Sequence, residues 1–341
     1  MAAGDFSPSA LPTILAKVSE KWMDPALNSD YVARVEGIKA IQNEQRVNLG
    51  EFKVKNKLNV VEVAWLKGCD ITDQACSDDC TNTGTELESA VQEHALTLCR
   101  ESKFTVLQKG FRTNLFDPAD AIAMGLLRAM KSLDEYWNKM VYTKLNTFAG
   151  VNAFDSTLWT LGNVPQGIET EVPAASLTVA LVPELNLAAY ANFMSNPFLL
   201  SGSTLYTQIW TAMMNGVNPE GQGTARMWDG IRKYFDLQWA DSQNSPDKLF
   251  YLIDQGAVAY VNKAWYETPQ STKFDERFTM ASKNIPGLLY DVIYTQTCSS
   301  NDIVHGYTVQ TLGDIFLNPV PCEATRTGVY VFKALASGQD S

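Results

Sequence analysis

The chain has 341 residues, of which 45% are hydrophobic and 19% are charged, a balance typical of a folded protein and not of a disordered one. Its net charge of −11 argues against a surface built to hold nucleic-acid phosphates. The first residues lack the basic start and apolar run of a signal peptide, and no stretch approaches the ~18 apolar residues of a membrane span, so we expect a cytosolic protein.

Residues 1–50 predict an arm of short helices. Apolar side chains recur at helical spacing in two groups, one before and one after Asp24-Pro25. Helices this short are unstable alone in water, so we expect each to pack on another element or on another subunit. The two groups are Leu11, Ile14, Leu15, Val18 and Trp22, and then Tyr31, Val35, Ile38 and Ile41.

Residues 51–110 change to the alternating pattern of β-strands. One alternating run begins at Val61, and a second strand-like run covers residues 93–106. A polar, cysteine-rich segment, Gly68–Glu88, separates them. We predict a long two-stranded ribbon with a broad tip, which needs a surface to lie on because a lone ribbon is marginally stable.

A single long helix is predicted next. Asp117 is suited to cap its first free N–H groups, Pro118 suits the first helical position, and Gly150 supplies the stop. A run of about 30 residues spans about 45 Å at ~1.5 Å per residue, which makes it a rigid beam. Its apolar stripe consists of Ile122, Leu126, Met130, Leu133, Trp137, Val141, Leu145 and Phe148.

The rest of the chain mixes helices with strands and ends in β-structure. The glycines and prolines between Gly162 and Pro173 predict a boundary. The predicted helices lie at 185–194 and 205–214, and the predicted strands at 237–239, 249–252, 290–297, 307–312 and 329–333, with turns at Gly256, 299–302 and 318–319.

This order of arm, ribbon, long helix, mixed middle and β-rich end resembles the major capsid proteins of tailed bacteriophages with the Hong Kong 97-type fold. The phrases KLFYLIDQGA at 248–257 and TGVYVFK at 327–333 are also similar to that family. The resemblance implies an α+β fold in five segments. They are an N-terminal arm at 1–50, an extended β-hairpin loop at 51–110, a peripheral domain with a spine helix at 111–174, an axial domain at 175–285, and a return to the peripheral sheet at 286–341.

The resemblance implies a structural protein and no enzyme, with no cofactor and no metal. Pentamers and hexamers of it would form an icosahedral shell around double-stranded DNA, with the arm and the loop reaching across neighbouring subunits. It implies a separate scaffolding protein, a portal, possible decoration proteins, no sequence-specific DNA binding, no membrane, and a location in the virion after assembly in the host cytoplasm. Two alternatives stay open: an encapsulin-type nanocompartment shell, and a cytosolic α/β enzyme.

The cysteines of the ribbon are candidates for disulfides. Cys69, Cys76 and Cys80 lie in the predicted tip and Cys99 on the returning strand. Their spacing does not match paired C-x2-C zinc knuckles, whereas a hairpin can bring Cys69 and Cys99 within bridging distance. A metal site and free thiols remain alternatives, and oxidation would wait until the particle leaves the reducing cytosol. We expect Cys298 and Cys322 to be packed thiols.

The two histidines do not predict a catalytic pair. His94 lies five residues before Cys99 on the predicted strand, so the two side chains point to opposite faces. His305 is placed in a turn before Gly306. The segment Gly221–Arg226 begins like a dinucleotide fingerprint but lacks the third glycine and a preceding strand.

The paired acidic residues and the basic residues are expected to have structural roles and no catalytic one. The pair Asp78-Asp79 lies in the ribbon tip, and Asp134-Glu135 is expected on a solvated face of the long helix. The resemblance places Arg226, Arg232, Lys233 and Arg277 at subunit contacts of the axial domain. It also places Lys67 where some family members cross-link lysine to asparagine between subunits.

Overall fold

A computed structural model shows a mixed α and β chain. The structure describes residues 11–24, 26, 28–45, 53–54, 60–67, 88–111, 117–149, 161, 169–173, 176–177, 181–192, 194–203, 205–206, 231–236, 249–265, 270–271, 275–299, 302–317 and 328–335. The helices in these residues are α1 (Leu11–Met23), α2 (Asn28–Tyr31), α3 (Glu36–Glu44), α4 (Pro118–Ala149) and α5 (Leu181–Ala191).

The strands of the described residues form three sheets. They are β1 (Lys53–Val54), β2 (Val60–Lys67), β3 (Glu88–Ala95), β4 (Leu98–Leu107), β5 (Glu169–Val172), β6 (Pro197–Ser201), β7 (Arg232–Phe235), β8 (Leu249–Asp254), β9 (Val258–Lys263), β10 (Gln270–Ser271), β11 (Asp275–Ala281), β12 (Leu289–Ser299), β13 (Asp302–Leu317) and β14 (Val329–Ala334). The sheet orders are β1-β2-β3, β10-β11-β12-β13-β4 with β9 also paired to β13, and β5-β14-β8-β6-β7.

The chain divides into two compact units. The first comprises the described residues of Met1–Val35, Leu96–Lys139 and Val261–Asp314. The second comprises those of Glu36–Ala95, Met140–Tyr260 and Ile315–Ser341.

In the first unit, α4 lies against the sheet that contains β4 and β13. A Cβ atom at Gly125 of α4 would lie 2.5 Å from the Phe104 ring of β4. The indole N–H of Trp137 donates to the Thr311 hydroxyl of β13 at 3.0 Å. These contacts bury the apolar stripe that the sequence pattern places on α4, with Ile122, Leu126, Leu133 and Trp137 at most 1% exposed.

In the second unit, α5 covers a five-stranded sheet. Strand β14 pairs in parallel with β5 and antiparallel with β8, so it lies inside the sheet. The Phe250 and Phe332 rings of β8 and β14 stack with centroids 5.2 Å apart. The core around them contains Val172, Leu177, Leu181, Leu185, Ala188, Ala189, Leu199, Leu205, Ile231, Leu252, Tyr330 and Ala334.

The long helix is confirmed with its predicted start and end, and the Asp117 carboxylate accepts from the Ala119 N–H at 3.1 Å. The ribbon is confirmed as the pairing of β2 with β3, and the short β1 adds a third strand. The strand-like run at 93–106 is two strands, because β3 ends at Ala95 and β4 begins at Leu98 in another sheet.

The closing strands are confirmed, but they divide between two sheets. Strands β12 and β13 pair with each other, while β14 joins β8 and β5. The helix predicted at 185–194 is α5, and the strand predicted at 249–252 is β8. The predictions for 207–214, 237–239 and the turn at 318–319 lie outside the described residues.

The N-terminal helices bury their apolar faces within their own chain. Val18 is 1% exposed, and Tyr31 and Ile38 are fully buried. The second predicted helix is wrong in one respect, because residues 32–35 belong to neither helix nor strand and separate α2 from α3. The buried side chains of residues 11–24 and 28–45 are therefore covered by their own chain, while Leu15, Met23 and Val32 are exposed.

Candidate functional site

Glu44, the last residue of α3, places a buried carboxylate in the second unit. Glu44 is 2% exposed and accepts hydrogen bonds from the Tyr234 hydroxyl at 2.6 Å and from Gln255 Nε2 at 2.9 Å. Arg232 Nη2 lies 2.8 Å from the same carboxylate. The C-terminal end of a helix dipole is negative and therefore destabilises a carboxylate placed there. The positive charge of the Arg232 guanidinium offsets this repulsion and the cost of burying the Glu44 carboxylate.

The Glu44 cluster joins α3 to β7 and to the turn after β8. Burial and the Glu44 carboxylate raise the pKa of Tyr234 to about 12, so the phenol keeps its proton and donates at neutral pH. The main-chain N–H of Gly256 also donates to the Glu44 carbonyl at 3.0 Å. Arg232, which the resemblance placed at a subunit contact, thus has a partner inside the chain.

A second buried carboxylate, Asp134, lies in the middle of α4 in the first unit and is fully buried. Its Oδ1 accepts from the Ser282 hydroxyl at 2.8 Å and from the Tyr290 hydroxyl at 2.5 Å, and its Oδ2 accepts from Asn284 Nδ2 at 2.8 Å. Burial raises the pKa of Asp134 to about 6, although these three hydrogen bonds act to lower it.

The prediction that Asp134 and Glu135 share a solvated face is wrong for Asp134. Glu135 is exposed, as expected. Asp134 follows Met130 by four positions and precedes Trp137 by three, so it lies on the apolar stripe itself. That spacing is the signal in the sequence that would have identified it, because a carboxylate on a buried stripe requires hydrogen-bond partners.

The histidines have aromatic partners. His94 is half-buried and stacks on Phe316, with ring centroids 4.5 Å apart. The prediction that His305 lies in a turn is wrong, because His305 lies within β13 and pairs with Gln296 of β12. His305 is 3% exposed, its Nδ1 lies 2.8 Å from the Tyr294 hydroxyl, and burial lowers its pKa.

The cysteine prediction remains a prediction. Cys99 is an exposed free thiol on β4, and Cys69, Cys76 and Cys80 lie outside the described residues. Cys298 is exposed and not packed, which corrects the expectation for that residue. It pairs with Ile303 beside the end of the β12–β13 hairpin, where the strands leave the buried part of the sheet. Cys322 lies outside the described residues.

The structure describes some of the other charged residues that the sequence analysis names. Lys67 pairs with Glu88 at one end of the ribbon, Lys233 lies on β7, and Arg277 lies half-buried on β11. The segment Gly221–Arg226, which includes Arg226, and the pair Asp78-Asp79 lie outside the described residues.

In the described part of the chain, no three His, Cys, Asp or Glu side chains are grouped as metal ligands would be. Among the helices that the structure describes, none combines the length and the apolar character needed to cross a bilayer.

No protein-family model and no curated protein matches this chain. Among solved structures, a chain of the cyanophage A-1(L) capsid asymmetric unit is 9% identical, with 91% of this chain and 98% of that chain covered and a TM-score of 0.54. A chain of the bacteriophage PhiM1 mature capsid is 9% identical, with 85% and 86% covered and a TM-score of 0.47. A chain of the cyanophage P-SCSP1u capsid is 13% identical, with 85% and 87% covered and a TM-score of 0.42. The likeness to the A-1(L) chain spans nearly the whole of both proteins, and this chain therefore has the fold of a phage capsid subunit.

Proposed function

We propose that this chain is the major capsid protein of a tailed bacteriophage. On this proposal it has the Hong Kong 97-type fold, assembles into pentamers and hexamers, and forms an icosahedral shell around double-stranded DNA. The observation that supports it is the fold shared with the cyanophage A-1(L) capsid chain, with a TM-score of 0.54 over 91% of this chain. Assembly would take place in the host cytoplasm and the product would be the virion capsid.

The same proposal assigns the chain a structural role and no reaction. The buried carboxylates support it, because Glu44 and Asp134 each accept hydrogen bonds from side chains of other elements and thereby hold those elements together. The expected partners are copies of the chain, a separate scaffolding protein, a portal and decoration proteins. The five-segment division into arm, extended loop, peripheral domain, axial domain and returning strands belongs to this proposal.

Mass photometry of the purified chain tests the proposal. We expect rings with the mass of pentamers or hexamers, together with megadalton particles, because a subunit held by several weak contacts dissociates only when all of them break. A cytosolic enzyme would instead give a monomer or a small oligomer. A monomer that persists at every concentration, with and without added crowding agent, would contradict a shell-forming role.

We also propose that Cys99 is oxidised in the released particle, in a disulfide with a ribbon-tip cysteine. Lys67 and Glu88 pair at one end of the ribbon, and Val60 and Ala95 pair at the other. The tip cysteines follow Lys67 in sequence, and Cys99 lies four positions after Ala95 as an exposed thiol on β4. An exposed thiol is accessible to a tip cysteine of a neighbouring subunit in the assembled shell.

Electrophoresis without reductant tests this. Released particles are expected to give a ladder of covalent multimers that dithiothreitol removes and that a Cys99→Ser variant lacks. Cys298→Ser is the matched control, since Cys298 is also exposed, and it should keep the ladder. A monomer band of altered mobility would indicate a bridge within one chain, and full alkylation of every thiol in intact particles would contradict oxidation.

A further inference from the structure

The side chain of Asn284 holds the main chain of the N-terminal segment in the first unit. Its Oδ1 accepts from the Ala33 N–H at 2.9 Å, and its Nδ2 donates to the Tyr31 carbonyl at 3.2 Å. This pair of bonds reproduces the pattern with which one peptide group pairs with a neighbouring strand. It also accounts for the end of α2, because the Ala33 N–H is committed to Asn284 and not to a helical carbonyl.

The grip of Asn284 depends on Asp134. The amide Nδ2 that reaches Tyr31 also donates to Asp134 Oδ2 at 2.8 Å, which fixes the orientation of the amide. Ser282 adds a second link, because its hydroxyl donates to Asp134 Oδ1 at 2.8 Å and accepts from the Asn284 N–H at 3.1 Å. The carboxylate on α4 thus orients the residue that holds residues 31–33.

We infer that Asp134 and Asn284 form a proton-sensitive clasp that holds residues 31–33 more tightly when Asp134 carries a proton. The clasp does not rest on the proposed function, and it lies entirely among residues of the first unit. It consists of Asp134, Ser282, Asn284 and Tyr290 together with the main chain of residues 31 and 33.

Within the part of the chain that the structure describes, the groups that bind the Asp134 carboxylate are all neutral. The groups that face it are the Tyr290 phenol from β12, and Ser282 and Asn284 from the loop after β11, where the neighbouring Lys283 is exposed. Glu135 follows it on α4 and its charge adds to the rise in the pKa of Asp134, which burial brings to about 6. Ionisation therefore leaves a charge inside the protein that only neutral donors solvate.

The raised pKa of Asp134 determines whether the clasp gains or loses stability as the pH rises. The folded chain holds the Asp134 proton up to about pH 6, whereas an opened or unfolded segment releases it near the ordinary aspartate value. The closed clasp is therefore most favoured below that ordinary value, and it loses stability as the pH rises to about 6. The protonated form keeps the contacts of the clasp, because Oδ2 can still accept from Asn284 and Oδ1 from Ser282, while Oδ1 donates its own proton to the Tyr290 oxygen.

Amide hydrogen exchange of the full chain at several pH values tests the clasp, with the assembly state held constant and each rate corrected for intrinsic exchange. In the native chain, the protection of the Ala33 amide should fall by up to about tenfold between pH 5 and pH 8, because an opened segment has already released the Asp134 proton at pH 5 whereas the closed clasp releases it near pH 6. Asp134→Asn should remove this pH dependence, because its amide has no proton to lose in this range and can accept from Asn284 while donating to the Tyr290 oxygen.

Two further variants test the roles of Asp134 and Asn284 separately. Glu135→Gln is the matched control, one position away and exposed, and it should retain the native pH dependence. Asn284→Ala should lower the protection of the Ala33 amide at both pH values by at least about tenfold, the usual order for a lost hydrogen bond. An unchanged pH dependence in Asp134→Asn, its loss in Glu135→Gln, or full protection in Asn284→Ala would each overturn the inference.

Discussion

A Gly313→Ala variant is expected to lose at least about 3 kcal/mol of unfolding free energy, the upper part of the range for overpacked cores. A Cβ atom at this position in β13 would lie 2.3 Å from the Val261 carbonyl oxygen and 2.6 Å from the Trp137 ring. The carbonyl belongs to the main chain of β9, so it cannot move aside without disturbing the pairing of β9 with β13. Urea denaturation of the dissociated subunit measures the change.

Gly110→Ala is the matched control for this substitution. Gly110 lies in the 3₁₀ turn after β4, and a Cβ atom there would meet no other atom within 4 Å. We expect its unfolding free energy to stay within about 0.5 kcal/mol of the native value, as for most surface substitutions. Equal stability of both variants would contradict the close approach of the β9 main chain to Gly313 of β13.

A Phe332→Ala variant is expected to lose about 3–5 kcal/mol, the usual cost of removing a buried aromatic ring. Phe332 is fully buried in β14 and stacks on Phe250 of β8, with centroids 5.2 Å apart and an interplanar angle of 9°. The cost combines the lost burial, the lost stacking and the cavity that remains between two paired strands. The shift in the urea midpoint of the dissociated subunit measures it.

Tyr190→Ala provides the comparison, because it also removes an aromatic ring from the second unit. Tyr190 is 78% exposed at the end of α5 and is expected to change the free energy by no more than about 0.5 kcal/mol. A small loss in Phe332→Ala, similar to that in Tyr190→Ala, would mean that β14 is not an inner strand of its sheet.

The elements whose signals are local were predictable from the sequence. The helix at Pro118–Ala149 carries an unbroken apolar stripe, a capping aspartate and a proline at its first position, so its type and bounds follow from neighbouring residues. The same holds for α1 and for the β12–β13 hairpin, whose apolar alternation and turn residues lie within one stretch of chain.

The elements that depend on distant partners were not predictable. The break between α2 and α3 at residues 32–35 follows from a bond between Ala33 and Asn284, which are 251 positions apart. The glycine after His305 favours a turn, but pairing with Gln296 of β12 and Val106 of β4 places His305 within β13. Tertiary contacts override local turn preference at such positions.

The two buried carboxylates combine a local signal, which the sequence shows, with distant partners, which it does not. Asp134 carried a usable signal, since its place on the apolar stripe of α4 implies burial, but its partners Asn284 and Tyr290 lie too far away in sequence to be deduced. Glu44 carried a weaker signal, because α3 ends there and a carboxylate at a C-terminus calls for a cation. Nothing in the pattern pointed to Arg232 as that cation.

Cryo-electron microscopy of the expressed full chain tests the central claim most directly. A capsid protein predicts closed icosahedral shells in which each subunit shows the long helix α4 and the paired strands β2 and β3. Images that contain only dispersed single molecules, under conditions where the chain is folded by circular dichroism, would contradict the claim that this fold builds a container.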